Sequence, residues 1–303
     1  MKVFVTGGTG AIGRHVLPAL RDAGHDVTAL ARGPEKAAWV SAQGATPVEV
    51  SLFDAGALED AFRGHDAVAN LATAIPASKD AMRAAAWATN NRIRTEGSTA
   101  VVDAAIAAGV ARLVQESIAF TYPDRGDEWI DESLPIDPPP GIDSVRAAEG
   151  NAQRFTEAGG VGVVLRFGFF YGPGSAHSEE FLRAARRHIG PVTGRPSSYV
   201  SSIHLADAAA AVVAALDAPA GVYNVVDDEP LRGKDYARAV GAAVGKRPWL
   251  YLPGRFALLA GKKSEVMTRS ERVSNRAFRD ATGWRPRYPS AREGWSTREM
   301  VDA

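Results

Sequence analysis

Gly7, Gly10 and Gly13 stand three residues apart in Thr6-Gly7-Gly8-Thr9-Gly10-Ala11-Ile12-Gly13, directly after the apolar run Val3-Phe4-Val5. A turn without side chains lets backbone N–H groups touch a bound anion. Apolar residues at helical spacing (Ala11, Ile12, Val16, Leu17, Leu20) begin at once, so the positive end of a helix dipole meets the same anion. The last glycine lets that helix pack tightly on its strand. Strand, glycine turn and helix, with a second strand due at 26–31, predict a grip on the diphosphate of a dinucleotide. Gly7, Thr9, Gly10, Ala11, Ile12 and Gly13 are its contacts. The plainer alternative is a tight turn that binds nothing.

In a unit of this kind the second strand ends near the adenine ribose, about 20 residues past the glycines. An acidic residue there binds the 2′-hydroxyl of NAD. This chain has Ala31-Arg32-Gly33-Pro34, with no carboxylate until Glu35. Arg32 can fork onto a 2′-phosphate, a charge-assisted contact of about 1.5–3 kcal/mol. NADP is therefore the expected cofactor and NAD the second choice, the alternative being a solvated arginine at a strand end.

Apolar strands at 2–6, 26–31, 46–50, 67–72 and 112–117 alternate with helical segments at 11–23, 34–43, 57–63 and roughly 80–108. Repeated βαβ units require a parallel sheet with right-handed crossovers. A sixth strand is expected at 161–167 and a further one at 221–226. Gly24 and Gly109 suit helix C-termini, and Pro18 should bend the first helix or cost stability. The stretch Leu134–Gly141 holds four prolines and reads as a loop ahead of a helix at 144–158, with Ser144 as N-cap. After Tyr171 the alternation fails, and helices are expected at 178–188, 232–244, 254–261 and 264–282. The fold class is α/β: a doubly wound parallel Rossmann sheet with a smaller C-terminal α/β substrate lobe. Residues 1–170 form the nucleotide-binding domain, with later strands returning from about 200–226, and 171–303 the smaller lobe.

Thirty-five Lys and Arg balance thirty-five Asp and Glu, which argues against nucleic acid or an anionic membrane as partner. The chain has no cysteine, so thiolate catalysis, disulfides and Cys-ligated metals are excluded. Its six histidines lack a metal-ligand spacing, and no metal is expected. No apolar run approaches a membrane span, and the first strand leaves no room for a signal peptide. A cytoplasmic protein acting on a small molecule through an organic cofactor is the expectation.

The glycine loop, Asn70-Leu71-Ala72, Asp103-Ala104-Ala105 through Gly109-Val110-Ala111-Arg112-Leu113-Val114, Leu165–Gly174 and Ile203–Ala209 together resemble the extended short-chain dehydrogenase/reductase family, also called the NAD-dependent epimerase/dehydratase family. The similarity covers nearly the whole chain. It implies that Leu71 and Ala72 lie along the cofactor. Phe167, Phe169, Phe170 and Tyr171 would end the sixth strand, with Phe167 a cofactor contact, or else pack in the core. The resemblance also implies a homodimer through the helices carrying Ala84, Ala85 and Ala88 and Ala147, Ala148 and Ala152, although these faces would equally suit packing on the sheet.

Members of that family carry a Ser or Thr four residues before the tyrosine of a VYG segment, and a Tyr-x-x-x-Lys on the next helix. Counting back four from Tyr122 reaches Ile118, with Ser117 one residue earlier. Aligning Ser144 and Ala147-Ala148-Glu149 puts Gly141 at the tyrosine and Val145 at the lysine; a shift of one puts Ile142 and Arg146 there. Neither register supplies a tyrosine. Ser117 and Tyr122 become the candidate proton carriers, and Arg146 the candidate cation for an anionic substrate. Asp143 reads as part of the helix cap, and the His204–Asp207 pair as a helix-start interaction. The functional expectation is an NADP-dependent oxidoreductase with a non-standard proton relay. Two alternatives stay open: a silent NADP-binding redox sensor, or a non-redox isomerase or lyase on the same fold.

Overall fold

In the computed structural model, residues 1–76, 80, 83–193, 195–254, 268–297 and 300 are described. Chain order begins β1 (Lys2–Thr6), α1 (Gly13–Asp22), β2 (Asp26–Leu30), α2 (Pro34–Ala42), β3 (Thr46–Val48), α3 (Ala55–Phe62) and β4 (Ala67–Asn70). It continues with α4 (Ala88–Arg92), α5 (Ser98–Ala107), β5 (Arg112–Ile118), β6 (Trp129–Ile130), α6 (Val145–Glu157), β7 (Val161–Phe167) and β8 (Phe169–Tyr171). Then come α7 (Ala176–Arg186), β9 (Ile189–Thr193), β10 (Tyr199–Val200), β11 (Ser202–His204), α8 (Leu205–Ala215), β12 (Gly221–Val225), β13 (Leu231–Arg232) and α9 (Gly233–Ala243). The last described elements are β14 (Leu250–Gly254), β15 (Arg272–Val273), α10 (Arg276–Thr282) and α11 (Ala291–Trp295).

Seven strands form one sheet in the order β12-β7-β5-β4-β1-β2-β3. The pairs β1–β2, β1–β4, β2–β3 and β4–β5 are parallel, with Val3 opposite Val27 and Ala67. The order reverses beside β1, where a doubly wound sheet opens its binding crevice at the carboxyl ends. Four two-stranded pairs complete the described strands: β10–β13, β11–β8, β14–β9 and β15–β6.

Two compact units divide the chain. The first comprises Met1–Ser117, Gly141–Arg166 and Ala209–Tyr223; its core gathers Phe4, Leu58, Phe62, Val68, Leu113 and Phe155. The second comprises Ile118–Pro140, Phe167–Ala208 and Asn224–Ala303. Tyr171, Leu182, Tyr236, Val240 and Trp295 pack in one of its clusters, and Ala119, Tyr122, Ile130, Val226 and Val273 in another.

Several local expectations need correction. The span expected as one helix at 80–108 is a 3-10 turn (Ala84–Trp87), α4, a π-helical segment (Ile93–Gly97) and α5. Apolar periodicity reads a 3.6-residue repeat and is blind to a wide turn that carries a buried polar residue. Helix α1 runs through Pro18, and Gly24 and Gly109 take positive φ as expected of C-terminal glycines. Ser144 occupies the N-cap position of α6 without capping it; its hydroxyl donates to Asn91 Oδ1 at 2.8 Å. Of the helices expected at 254–261 and 264–282, residues 255–267 lie outside the described residues, and the rest holds β15 and α10. Ala148 and Ala152 are buried within the chain, whereas Ala85 and Ala88 are exposed.

Candidate active site

Gly7 leaves β1 at φ +71, a conformation glycine adopts freely, and a Cβ there would lie 2.5 Å from the Leu71 carbonyl oxygen. A Cβ on Gly13 would lie 2.3 Å from the Gly7 oxygen. The turn is closed by Gly10 N–H donating to Gly7 O at 2.9 Å. The N–H groups of Ala11 and Ile12 donate to no backbone carbonyl among the described residues. Gly10 and Ala11 are exposed, so a diphosphate can reach these donors and the start of α1. This cradle fits a dinucleotide. Leu71 is buried under Gly7, Ala72 is half-buried, and Arg32 is exposed just past β2. Gly33 N–H donates to Glu49 Oε1 at 3.0 Å.

Sequence reasoning missed the polar chain beneath the cradle. Thr6 Oγ1 donates to Asn70 Oδ1 at 2.5 Å, Asn70 Nδ2 to Gln115 Oε1 at 2.8 Å, and Gln115 Nε2 to the Glu116 carbonyl at 2.9 Å. Thr6, Asn70 and Gln115 are register partners on β1, β4 and β5, so the chain ties the ends of β1 and β4 to the middle of β5 at one level. The available signal was Thr6 and Asn70 ending the apolar runs of β1 and β4, and buried polar groups are almost always paired.

Two buried ion pairs lie along β5. Arg94, in the π-helical segment, donates through Nη2 to both carboxylate oxygens of Glu116 at 2.7 and 2.8 Å. Burial pushes the Glu116 carboxyl above its ordinary value, and Arg94 offsets only part of that. Ser117 Oγ donates to Glu149 Oε1 at 2.6 Å, and Arg166 clamps Glu149 through Nε and Nη2 at 2.8 and 2.7 Å. Ser117 is fully buried with its proton directed at that carboxylate.

The start of α6 lacks the family's hydroxyl and ammonium. Gly141 has φ +97, Val145 is buried, Ile142 is buried, and Arg146 and Asp143 are exposed. Asn91 holds this loop by donating from Nδ2 to the Gly141 carbonyl at 3.0 Å, while Asn90 Oδ1 accepts the Ala74 N–H at 3.1 Å.

In the second unit, Tyr122 is fully buried and donates to Asn224 Oδ1 at 2.9 Å. Phe167 is buried against Phe170, with ring centroids 5.3 Å apart. Phe169 and Phe170 are half-buried, and Phe169 stacks on Phe181 at 5.8 Å beside His177. Tyr171 is core, stacked on Trp295. At the start of α8, His204 Nδ1 accepts the Ala206 N–H, and Asp207 accepts the N–H groups of Arg287 and Tyr288. No group of three His, Cys, Asp or Glu is arranged to hold a metal among the described residues.

The family model described as "NAD dependent epimerase/dehydratase family" matches residues 3–226. The chain belongs to that family. It is thus an enzyme of the nicotinamide-dependent oxidoreductase and epimerase superfamily, and its relatives include named reductases. A Streptomyces protein named 3-diazoavenalumate denitrifying reductase is 33% identical over 305 residues, covering 97% of this chain and 99% of that one. Ceramide reductase of Caulobacter vibrioides is 30% identical over 270 residues, 86% of this chain and 76% of its own. The fold matches UDP-glucose 4-epimerase of Thermus thermophilus, solved with NAD, at TM-score 0.79 and 24% identity, covering 100% of this chain and 98% of that one. A human epimerase family protein solved with NADPH matches at TM-score 0.77 and 22% identity, covering 100% and 99%. No helix among the described residues is long and apolar enough to cross a membrane.

Proposed function

We propose that this member of the epimerase/dehydratase family is a cytoplasmic NADP-dependent reductase whose acceptor takes hydride without a tyrosine proton donor. Gly7, Thr9, Gly10, Ala11, Ile12 and Gly13 hold the diphosphate, Arg32 the 2′-phosphate, and Leu71 and Ala72 flank the dinucleotide. Bound there, the nicotinamide supplies hydride. The observation that carries the reading is the backbone at Gly141. Its φ of +97 is strained for tyrosine, so in the register that puts Gly141 at the tyrosine the position offers neither the hydroxyl nor a backbone suited to it.

A carbonyl needs a proton as its oxygen becomes a hydroxyl, and a positioned acid contributes about 10²- to 10⁴-fold. A carbon that sheds a leaving group needs none. The Streptomyces relative is named for a diazo compound and for denitrification. In the diazonium form of such a compound the C–N bond breaks, dinitrogen leaves with its electron pair, and hydride completes a new C–H bond. Arg146, exposed on the first turn of α6, serves to hold an anionic group of the substrate. Ser117 and Tyr122 have their protons committed to Glu149 and Asn224 and act by holding β5 and the turn that follows it. A homodimer through the exposed Ala85 and Ala88 accords with the family resemblance.

The test follows NADPH absorbance with purified protein and a panel containing a ketone, an enone, an imine and an aryl diazonium carboxylate. The expected result is turnover of the diazonium at least tenfold faster than of the ketone, with release of dinitrogen. Tyr122→Phe should change kcat less than threefold while lowering Tm. NADPH binding without turnover of any acceptor would sink the reductase reading and favour the sensor.

A further inference from the structure

We propose that Arg14 is a second cation for the 2′-phosphate of the dinucleotide, acting with Arg32. The inference rests on the NADP reading above and adds a residue outside the glycine pattern and the strand-end position that led to it.

Arg14 is the second residue of α1, directly after Gly13. Its side chain is exposed yet held at two points. Nε donates to the carbonyl oxygen of Thr9, inside the glycine turn, at 3.3 Å. The guanidinium lies over the Trp39 ring, 5.2 Å from its centroid. Trp39 belongs to α2, which opens at Pro34 two residues after Arg32. Arg14 is thus strung between the turn that cradles the diphosphate and the helix that follows Arg32.

Neither Arg14 nor Arg32 forms an ion pair with a carboxylate among the described residues. The nearby acid, Glu49, accepts the Gly33 N–H. An arginine tethered through Nε keeps both terminal nitrogens as donors, and stacking on an indole removes much of the rotamer freedom that an exposed arginine otherwise loses on binding. A 2′-phosphate carries nearly two charges and three acceptor oxygens, more than Arg32 alone can match.

The plainer role is mechanical: Arg14 staples α1 to α2 and never meets a ligand. Affinity for two cofactors that differ only by the 2′-phosphate separates these roles. Dissociation constants for NADP and NAD are measured by calorimetry on the intact wild type and on Arg14→Met, Arg14→Lys, Arg32→Met and Trp39→Leu, with folding checked by circular dichroism. Arg14→Met keeps an unbranched chain on the Trp39 ring and should weaken NADP about 10- to 150-fold, the value of one charge-assisted contact, with NAD changed less than twofold. Arg14→Lys should recover part of the loss, and Trp39→Leu should lower the NADP preference by freeing the arginine.

Equal weakening of NADP and NAD in Arg14→Met would overturn the proposal, because Arg14 would then serve a part both cofactors share. An unchanged NADP to NAD ratio in that variant, with the ratio lost in Arg32→Met, would also overturn it and leave the NADP reading intact. A wild type that binds the two cofactors equally would remove the NADP reading and this inference together.

Discussion

Arg94 and Glu116 are each almost fully inaccessible, and Nε and Nη1 of Arg94 find no acceptor among the described residues. Removing one charge of a buried pair strands the other in low dielectric. Arg94→Met should therefore cost about 3–5 kcal/mol in denaturant unfolding, and the double variant with Glu116→Met should recover most of it. Asp227 gives the opposite kind of buried acid. Burial, together with the charge of Asp207, pushes its carboxyl well above the ordinary value, the Ser202 hydrogen bond offsetting part. A folded-state value raised above the unfolded one means that the stability it contributes is full below about pH 4 and is lost as pH rises through the folded value. Asp227→Asn should gain on the wild type as pH climbs from about 4 to 8, read as the difference in Tm. A difference that does not vary with pH would show that the carboxyl is ionised in the fold. None of these partners was legible in sequence, because Glu116 and Asp227 lie far along the chain from Arg94 and Ser202.

Elements fared differently according to how local their causes are. The strand–glycine–helix opening is specified within a dozen residues, and its three glycines are needed where the backbones of Gly7, Gly13 and Leu71 meet. Gly13→Ala should place a Cβ 2.3 Å from the Gly7 oxygen, force the turn open and weaken NADP more than tenfold by calorimetry. The stretch from 84 to 107 was not legible as it stands. Its alanines predict plain helix, but Arg94 reaches Glu116 from a wide turn whose carbonyls are taken up by side chains: Thr95 Oγ1 donates to Asn91 O at 2.9 Å and Ser98 Oγ to Arg94 O at 2.6 Å. Asn90 and Asn91, on α4 just before that turn, hold the loops at Ala74 and Gly141, so the stretch orders the places where the cofactor and the family's tyrosine would be sought.

For the whole molecule, ligand binding to the folded state alone raises stability by mass action. NADP at 100 times its dissociation constant should add about 2.7 kcal/mol and raise Tm by several degrees in a thermal melt, and NAD at the same concentration should add less. A shift equal for both cofactors would count against any role of Arg32 in selection.

Alternating apolar runs, glycine spacing and the absent Tyr-x-x-x-Lys were all readable along the chain, since period and turn chemistry act over a few residues. They determined a nucleotide-binding α/β enzyme whose segment at 141–146 carries no tyrosine. Which hydroxyls are open and which are committed was decided only in three dimensions. Ser117 meets Glu149, Tyr122 meets Asn224 and Arg14 meets Trp39 because packing joins segments 25 to 102 residues apart, and burial then sets what each group can donate.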